Sequence, residues 1–304
     1  VVVEDGSSVK CDNVVKAYEN RLNIKYFLKA NSGPGQTRNY GVDRAEGEYV
    51  LILDSDVVLP TNYLQAVDAE LRRQPCDAFG GPDRAHSSFS LMQKAINYAM
   101  TSFFTTGGIR GGKKKLDKFY PRSFNMGVRR EVYLALEGFS KMRFGEDIDF
   151  STRIFKGGYS CRLFPEAWVW HKRRTDLKKF FKQVHNSGIA RINLTKRHPG
   201  TLKAVHLLPA VFTVGCALIV VLTVVAALCG CPHWWALLTP FALFSLIIFA
   251  DSALQSHSLQ VGIRAVAASF IQLWGYGTGF VRAWWERCVL GRGEFEAFKH
   301  NFYK

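Results

Sequence analysis

The chain has 304 residues, 48% of them hydrophobic, and carries 40 Lys/Arg against 25 Asp/Glu for a formal net charge of +15. That length allows one large domain or two. The charge is uneven, with a net −2 over residues 1–109, +14 over 110–200 and +3 over 201–304, so the basic middle third invites nucleic acid, an anionic membrane surface or a phosphorylated substrate.

In chain order, Val1–Ser8 reads as a buried strand ending in an acidic Gly/Ser turn, with Asp5 at its carboxyl end. The chain opens inside this strand without Met, which suggests that sequence ahead of it is missing. A helix is expected over 12–21 and a strand over 24–28. Asn31–Gly41 is a Gly-rich turn entering a helix. Gly33-Pro-Gly35 gives G-x-G, but Arg38 occupies the third glycine position of a dinucleotide fingerprint. Arg38 and Asn39 there suit a phosphate or nucleotide edge, or else an exposed helix face.

Tyr49–Leu53 is a nearly continuous apolar run, the pattern of a strand buried on both faces. It delivers Asp54 and Asp56. Two carboxylates at a strand end suit Mg²⁺ or Mn²⁺, although Asp-Ser-Asp is also an ordinary turn. A helix over 62–73 has Leu64, Val67 and Leu71 at helical spacing. Residues 78–81 read as a strand end and 90–103 as a helix. Gly107–Lys115 nearly makes a phosphate-binding loop, but Lys114 replaces the required Ser/Thr, which leaves a basic loop at Arg110–Lys115 that is either a lid over an anionic substrate or solvated.

Residues 122–128 read as a strand and 129–137 as a short helix. A helix opening near Phe144 carries Glu146, Asp147 and Asp149 in its first turn, either for the helix dipole or as a proton acceptor at a pocket. Two strand-like runs, 159–164 and 167–170, deliver His171, followed by Lys172, Arg173 and Arg174. Residues 176–194 form a basic helix with an apolar stripe of Leu177, Phe180, Phe181 and Val184, suited to a membrane interface.

Leu207–Leu228 holds no charged residue over 22 positions, enough to cross a bilayer core of roughly 30 Å. A second apolar run covers 234–250. A third, over 265–281, is interrupted by Gly275, Gly277 and Gly279. Three crossings would put the basic tail (Arg282, Arg287, Arg292, Lys299, Lys304) opposite the basic block, against the positive-inside tendency, so one run is expected to be re-entrant or interfacial. The seven cysteines have no C-x-x-C or zinc spacing and read as reduced.

Together, Val3-Glu-Asp-Gly-Ser7, Gly33 through Arg38-Asn39, Leu53-Asp-Ser-Asp56, Asn125 through Arg129-Arg130, Gly138-Phe139, Gly145-Glu-Asp-Ile-Asp149 and Val169-Trp-His171 resemble, in order, a membrane-bound family 2 glycosyltransferase of the kind that builds bacterial cell-surface polysaccharides. The resemblance covers about residues 1–195. It implies an α/β GT-A fold, a Rossmann-like nucleotide-diphospho-sugar transferase domain, followed by C-terminal transmembrane helices. The expected division is 1–175 catalytic (its first strand missing), 176–203 an interfacial helix and linker, and 204–304 a membrane domain with two or three crossings.

The resemblance also implies roles. Asp147 would be the general base with Glu146 beside it. Asp5, Arg38, Asn39 and Asp54 would bind the donor, and Asp54, Asp56 and His171 the Mg²⁺ or Mn²⁺. Arg173 and Arg174, by charge and position, would neutralise the leaving diphosphate. The expected partners are a nucleotide-diphosphate sugar, a lipid-linked or growing glycan acceptor and membrane lipids, with no nucleic acid. The expected place is the inner membrane, multi-pass, with the catalytic domain cytoplasmic and transfer inverting. Q-x-x-R-W, the processive-synthase motif, is absent around Gln183–Ser187, which favours transfer of single sugars. The alternatives are a polyprenyl-phosphate glycosyltransferase, or an inactive membrane-anchored scaffold.

Overall fold

The computed structural model describes residues 1–107, 119–142 and 144–294. The basic loop at Arg110–Lys115 and the tail residues Lys299 and Lys304 lie outside the described residues. In chain order the elements are β1 (Val2–Asp5), α1 (Asp12–Lys16), β2 (Tyr26–Lys29), α2 (Pro34–Asp43), β3 (Tyr49–Leu53), β4 (Val57–Val58), α3 (Tyr63–Arg73), β5 (Ala78–Gly80), β6 (Asp83–Arg84), α4 (Leu91–Thr101) and α5 (Phe103–Thr106). They continue with β7 (Asn125–Arg129), α6 (Arg130–Ala135), α7 (Glu146–Lys156), β8 (Cys161–Leu163), β9 (Val169–His171), α8 (Leu177–Arg197), α9 (Ala204–Leu228), α10 (Thr239–Ser256) and α11 (Leu259–Trp284).

Two compact units form. One is Val1–Asp83 with Phe119–Trp170, the other Arg84–Lys118 with His171–Lys304. The segment carrying α4 therefore clusters with the C-terminal helices rather than with the sheets that flank it in sequence. Its reason is apolar: Ile96, Ala99 and Met100 pack with Phe180, Val184 and Ala268, and Ala95 and Tyr98 with Ile248, Val261 and Ala265.

In the first unit β1 and β2 pair in parallel. The central sheet runs β3-β7-β5-β8, antiparallel except for the parallel pair β5/β8. Alternation along its strands sorts the core. Val50, Ile52, Ala78, Met126 and Val128 join α6 and α7 side chains on one face, while Tyr49, Leu51 and Phe79 pack with α3 and Phe164 on the other. β3 is thus covered on both faces, as its apolar run requires. Gly127 has a specific reason. A Cβ there would sit 2.0 Å from the Phe79 ring, which stacks on Phe164 at 4.4 Å.

Several expectations are corrected. β1 is not a buried strand: Val1 and Val2 are exposed and Glu4 is its buried residue, because β2 is its only partner among the described residues. α1 stops at Lys16 and gives way to turns, since Val14 and Tyr18 find no apolar surface to cover. On α3 the buried pair is Tyr63 and Val67, and Leu64 is exposed, because Tyr63 turns inward to donate to Asn125 Oδ1 at 2.6 Å.

In the second unit the glycines of the third apolar run do not interrupt a helix. α11 is continuous over 26 residues, and its glycines are where other helices touch its backbone. A Cβ on Gly279 would lie 2.0 Å from the His185 carbonyl oxygen, and one on Gly277 2.3 Å from that of Pro209. Gly188 on α8 returns the contact, 2.1 Å from the Tyr276 carbonyl oxygen. Small residues let helix backbones approach this closely. Phe180 and Val184, from the stripe expected to face lipid, are buried against α4 and α11 instead. α9 and the stretch Trp234–Ser256 are long and apolar enough to cross a membrane, and both are mostly exposed.

Candidate active site

The strand ends of the first unit gather the acidic residues. Asp54 follows β3, and a turn closed by Val57 N–H on the Asp54 carbonyl oxygen presents Asp56. β9 ends at His171, the residue at which the first unit gives way to the second. One ligand atom from each of Asp54, Asp56 and His171 lies within 4.8 Å of the others. Two carboxylates and an imidazole, half-buried or exposed, are a donor set for a divalent ion.

Arg38 on α2 ties this cluster to the acidic start of α7. Its Nη2 donates to Asp54 Oδ1 at 2.7 Å and its Nη1 to Glu146 Oε1 at 2.9 Å, with the guanidinium over the Phe139 ring. Burial opposes its charge, but Asp54 and Glu146 outweigh burial and hold it above the usual arginine range. Glu146 is buried. Desolvation first, and then the neighbouring Asp147, push its carboxyl up to about 7, while Arg38 pulls the other way. The two glycines before Arg38 make the approach possible. Gly33 has φ +88, a conformation that favours glycine, and a Cβ on Gly35 would meet Phe139 at 3.3 Å and Glu146 at 3.6 Å.

Asp147 occupies the first turn of α7, its Oδ1 accepting from the Ile148 N–H at 2.8 Å. Arg122 lies 3.6 Å from its other oxygen. Asp149 plays a different part from its neighbours. It is 1% exposed and pairs with Arg153, whose guanidinium also donates to the Leu136 and Gly138 carbonyl oxygens.

The remaining expected site residues are placed as follows. Asp5 is engaged by the end of β2 and the turn into α2: Lys29 Nζ donates to Oδ1 at 2.5 Å, and the Ser32 and Gly33 N–H groups donate to Oδ1 and Oδ2 at 2.9 Å each. Burial would raise its pKa, yet these donors outweigh it and hold the carboxyl below its ordinary value. Asn39 faces the chain rather than open space. Its Oδ1 accepts from the Phe139 N–H and the Tyr133 hydroxyl, and its Nδ2 donates to the Phe139 carbonyl oxygen at 2.8 Å. In the second unit Arg173 is buried, with Nε donating to Asn97 Oδ1 at 3.0 Å and its carbonyl oxygen accepting from Gln93. Arg174 is exposed beside Gln183. So the structure gathers Asp54, Asp56 and His171, and joins Asp54 to Glu146 through Arg38, while Asp5 and Asn39 brace loops.

Sequence reasoning gave no role to Arg122, Phe139 or Arg153. An arginine four residues after Asp149 on a helix is a readable pairing signal. Nothing in the sequence separates Arg122 from the other cations of the basic third.

The architecture is that of a GT-A transferase, a Rossmann-like α/β domain, followed here by apolar helices. A mannosyltransferase from Pyrobaculum calidifontis, solved with GDP-Man and Mn²⁺, superposes with a TM-score of 0.58 at 18% identity, over 88% of this chain and 76% of that one. The model for "Glycosyl transferase family 2" matches residues 1–136, and over that stretch the chain is similar to family 2 glycosyltransferases. Among curated relatives, the poly(ribitol-phosphate) beta-N-acetylglucosaminyltransferase TarS of Staphylococcus aureus is 48% identical over 100 residues, 32% of this chain and 16% of that protein. The pre-mycofactocin glycosyltransferase of Mycobacterium tuberculosis is 26% identical over 221 residues, 66% of this chain and 43% of that protein. The chain spans less than half the length of the curated relatives it matches.

Proposed function

We propose that this chain transfers a sugar from a nucleotide-diphosphate donor to a lipid-linked or growing glycan at the cytoplasmic face of a membrane, with a divalent metal and inversion at the anomeric carbon. The observation that carries the reading is the convergence of Asp54, Asp56 and His171, joined by Arg38 to the acidic start of α7. The two solvent-accessible carboxylates and the imidazole would hold Mn²⁺ or Mg²⁺, which when bound neutralises diphosphate charge as a Lewis acid.

The chain's own residues supply the rest. Asp147, in the first turn of α7, accepts the proton of the acceptor hydroxyl. Glu146 and Arg38 position rather than react. Glu146 anchors one arm of the guanidinium and Asp54 the other, which fixes the Asp54 carboxylate toward the cluster. Asp5 shapes the Gly33 turn that starts α2. The donor class is supported by the family, and the mannosyltransferase of the same fold was solved with GDP-Man and Mn²⁺. Membrane attachment is supported by α9 and α10.

The test is donor binding by the detergent-extracted full chain, with UDP-, GDP- and dTDP-sugars in Mn²⁺, Mg²⁺ or EDTA. One donor should bind only with metal, and Asp56→Ala should abolish that binding. Binding unaffected by EDTA would overturn the metal assignment, and binding of no donor would overturn the transferase reading in favour of a scaffold.

A further inference from the structure

We propose that α11 does not cross the bilayer but lies at its interface, on the side from which α9 enters, so that the chain crosses twice and Cys288 stays on the catalytic side. The inference rests on the membrane reading above and on contacts within the second unit. α9 and α10 are both bare and apolar, and the turn between them, Cys229–His233, contains no Lys or Arg. If α9 crosses in one direction, α10 returns, and α11 starts where α9 started. Its beginning fits that place. Gly262 packs on Phe249 and Ala253 near the end of α10, and Val261 and Ala265 pack with Ala95 and Tyr98 of α4.

The far end of α11 is held on the same side. Gly275 packs on Val184, Gly279 on His185 and Tyr276 on Gly188, so α8 runs along the second half of α11. Beyond them Arg287 donates to Asn193 Oδ1 at 2.6 Å, and Lys196 Nζ donates to the Arg287 carbonyl oxygen at 2.7 Å. α8 cannot lie in hydrocarbon. It carries Lys178, Lys179, Lys182, Arg191, Lys196 and Arg197, and only the residues 198–203 separate it from α9. A helix that begins beside the end of α10 and ends clasped to α8 enters and leaves on one side.

The outward residues of α11 agree. Trp274 and Trp284 on the helix, and Trp285 just after it, are 45%, 47% and 52% exposed, with Arg264 and Arg282 on the same helix. Exposed tryptophans beside cations are the composition of headgroup depth. The arrangement also puts Lys196, Arg197, Lys203, Arg282, Arg287 and Arg292 on one side of the membrane and leaves the α9–α10 turn without a cation, as the positive-inside tendency asks.

The native cysteines give the test. Cys231 and Cys288 are exposed, and Glu19→Cys in the first unit marks the catalytic side. Each is made the only cysteine of the full chain, with the others replaced by Ser, or by Ala where buried, and probed with a membrane-impermeant maleimide in sealed vesicles of both orientations. Cys288 and Glu19→Cys should react from one face and Cys231 from the other, each at least about ten-fold faster than from the opposite face, because the bilayer excludes the polar reagent. Cys288 reacting with Cys231 from the face opposite Glu19→Cys would mean that α11 crosses, and would overturn the inference while leaving the membrane reading intact. All three reacting from one face would remove the crossings and with them the membrane reading. Mapping the label on the unsubstituted chain by mass spectrometry decides the same question without any variant having to fold.

Discussion

In the first unit ion pairs tie chain segments that are far apart in sequence: Arg38 stands between Asp54 and Glu146, and Arg153 between Asp149 and two carbonyl oxygens. In the second unit the closest approaches are backbone on backbone, at Gly188, Gly277 and Gly279. Charged pairs are directional and costly to bury, so they fix side chains to within a fraction of an ångström but leave a penalty if one member is removed. Glycine contacts fix only the distance between helices. The difference separates a unit that must place reacting groups from one that must hold helices together.

The largest effect expected from breaking the polar side of this comparison is on turnover. Asp147→Asn should lower transfer by roughly 10²–10⁴-fold, the range for a lost general base, with metal-dependent donor binding retained, as read by initial rates and by titration calorimetry. Arg38→Met leaves Glu146 and Asp54 without their shared partner. It should cost about 2–4 kcal/mol of stability in denaturant unfolding and weaken donor binding too. On the other side, Gly279→Ala should cost about 1–3 kcal/mol by overpacking against His185, yet leave donor binding per folded molecule unchanged. If Gly279→Ala alters donor affinity as strongly as Arg38→Met does, the division between the units fails.

A smaller effect comes from pH. Because the folded-state pKa of Glu146 is raised from 4.5 to about 7, the unfolded chain loses this proton first. Stability should therefore fall as pH rises from about 4.5 to about 7, by an amount on the order of 1–3 kcal/mol, and stay level above that. Glu146→Gln should flatten the melting temperature over that window. The smallest change is Leu64→Ala on the exposed face of α3, expected within about 0.5 kcal/mol of the parent although helical spacing alone marks Leu64 as core.

What the sequence made legible was local. The apolar run Tyr49–Leu53 names its own strand, and its alternating burial follows from the pleat. Asp54, Asp56 and His171 were grouped by resemblance and are grouped in space, though His171 is 115 positions from Asp56. What could not be read was which partner satisfies a polar group. Asn39 was expected to face a ligand and instead braces Phe139, a residue 100 positions away. The glycines of α11 looked like breaks because a helix interior penalises glycine by about 1 kcal/mol, and the compensating contacts come from other helices that periodicity does not reveal.

The placement of α4 in the second unit also has a consequence in time. A ribosome completes α4 long before it reaches α10 and α11, whose side chains cover Ala95, Ile96 and Tyr98. At 5–20 residues per second the wait is roughly ten to thirty seconds. For that interval α4 lacks the side chains that cover it, and during the first part of it the central sheet is incomplete as well, since β7 and β8 also follow α4. Synthesis at the membrane, with a chaperone or the bilayer surface occupying α4 until its helices arrive, would protect the chain from aggregation during the period when the finished fold cannot.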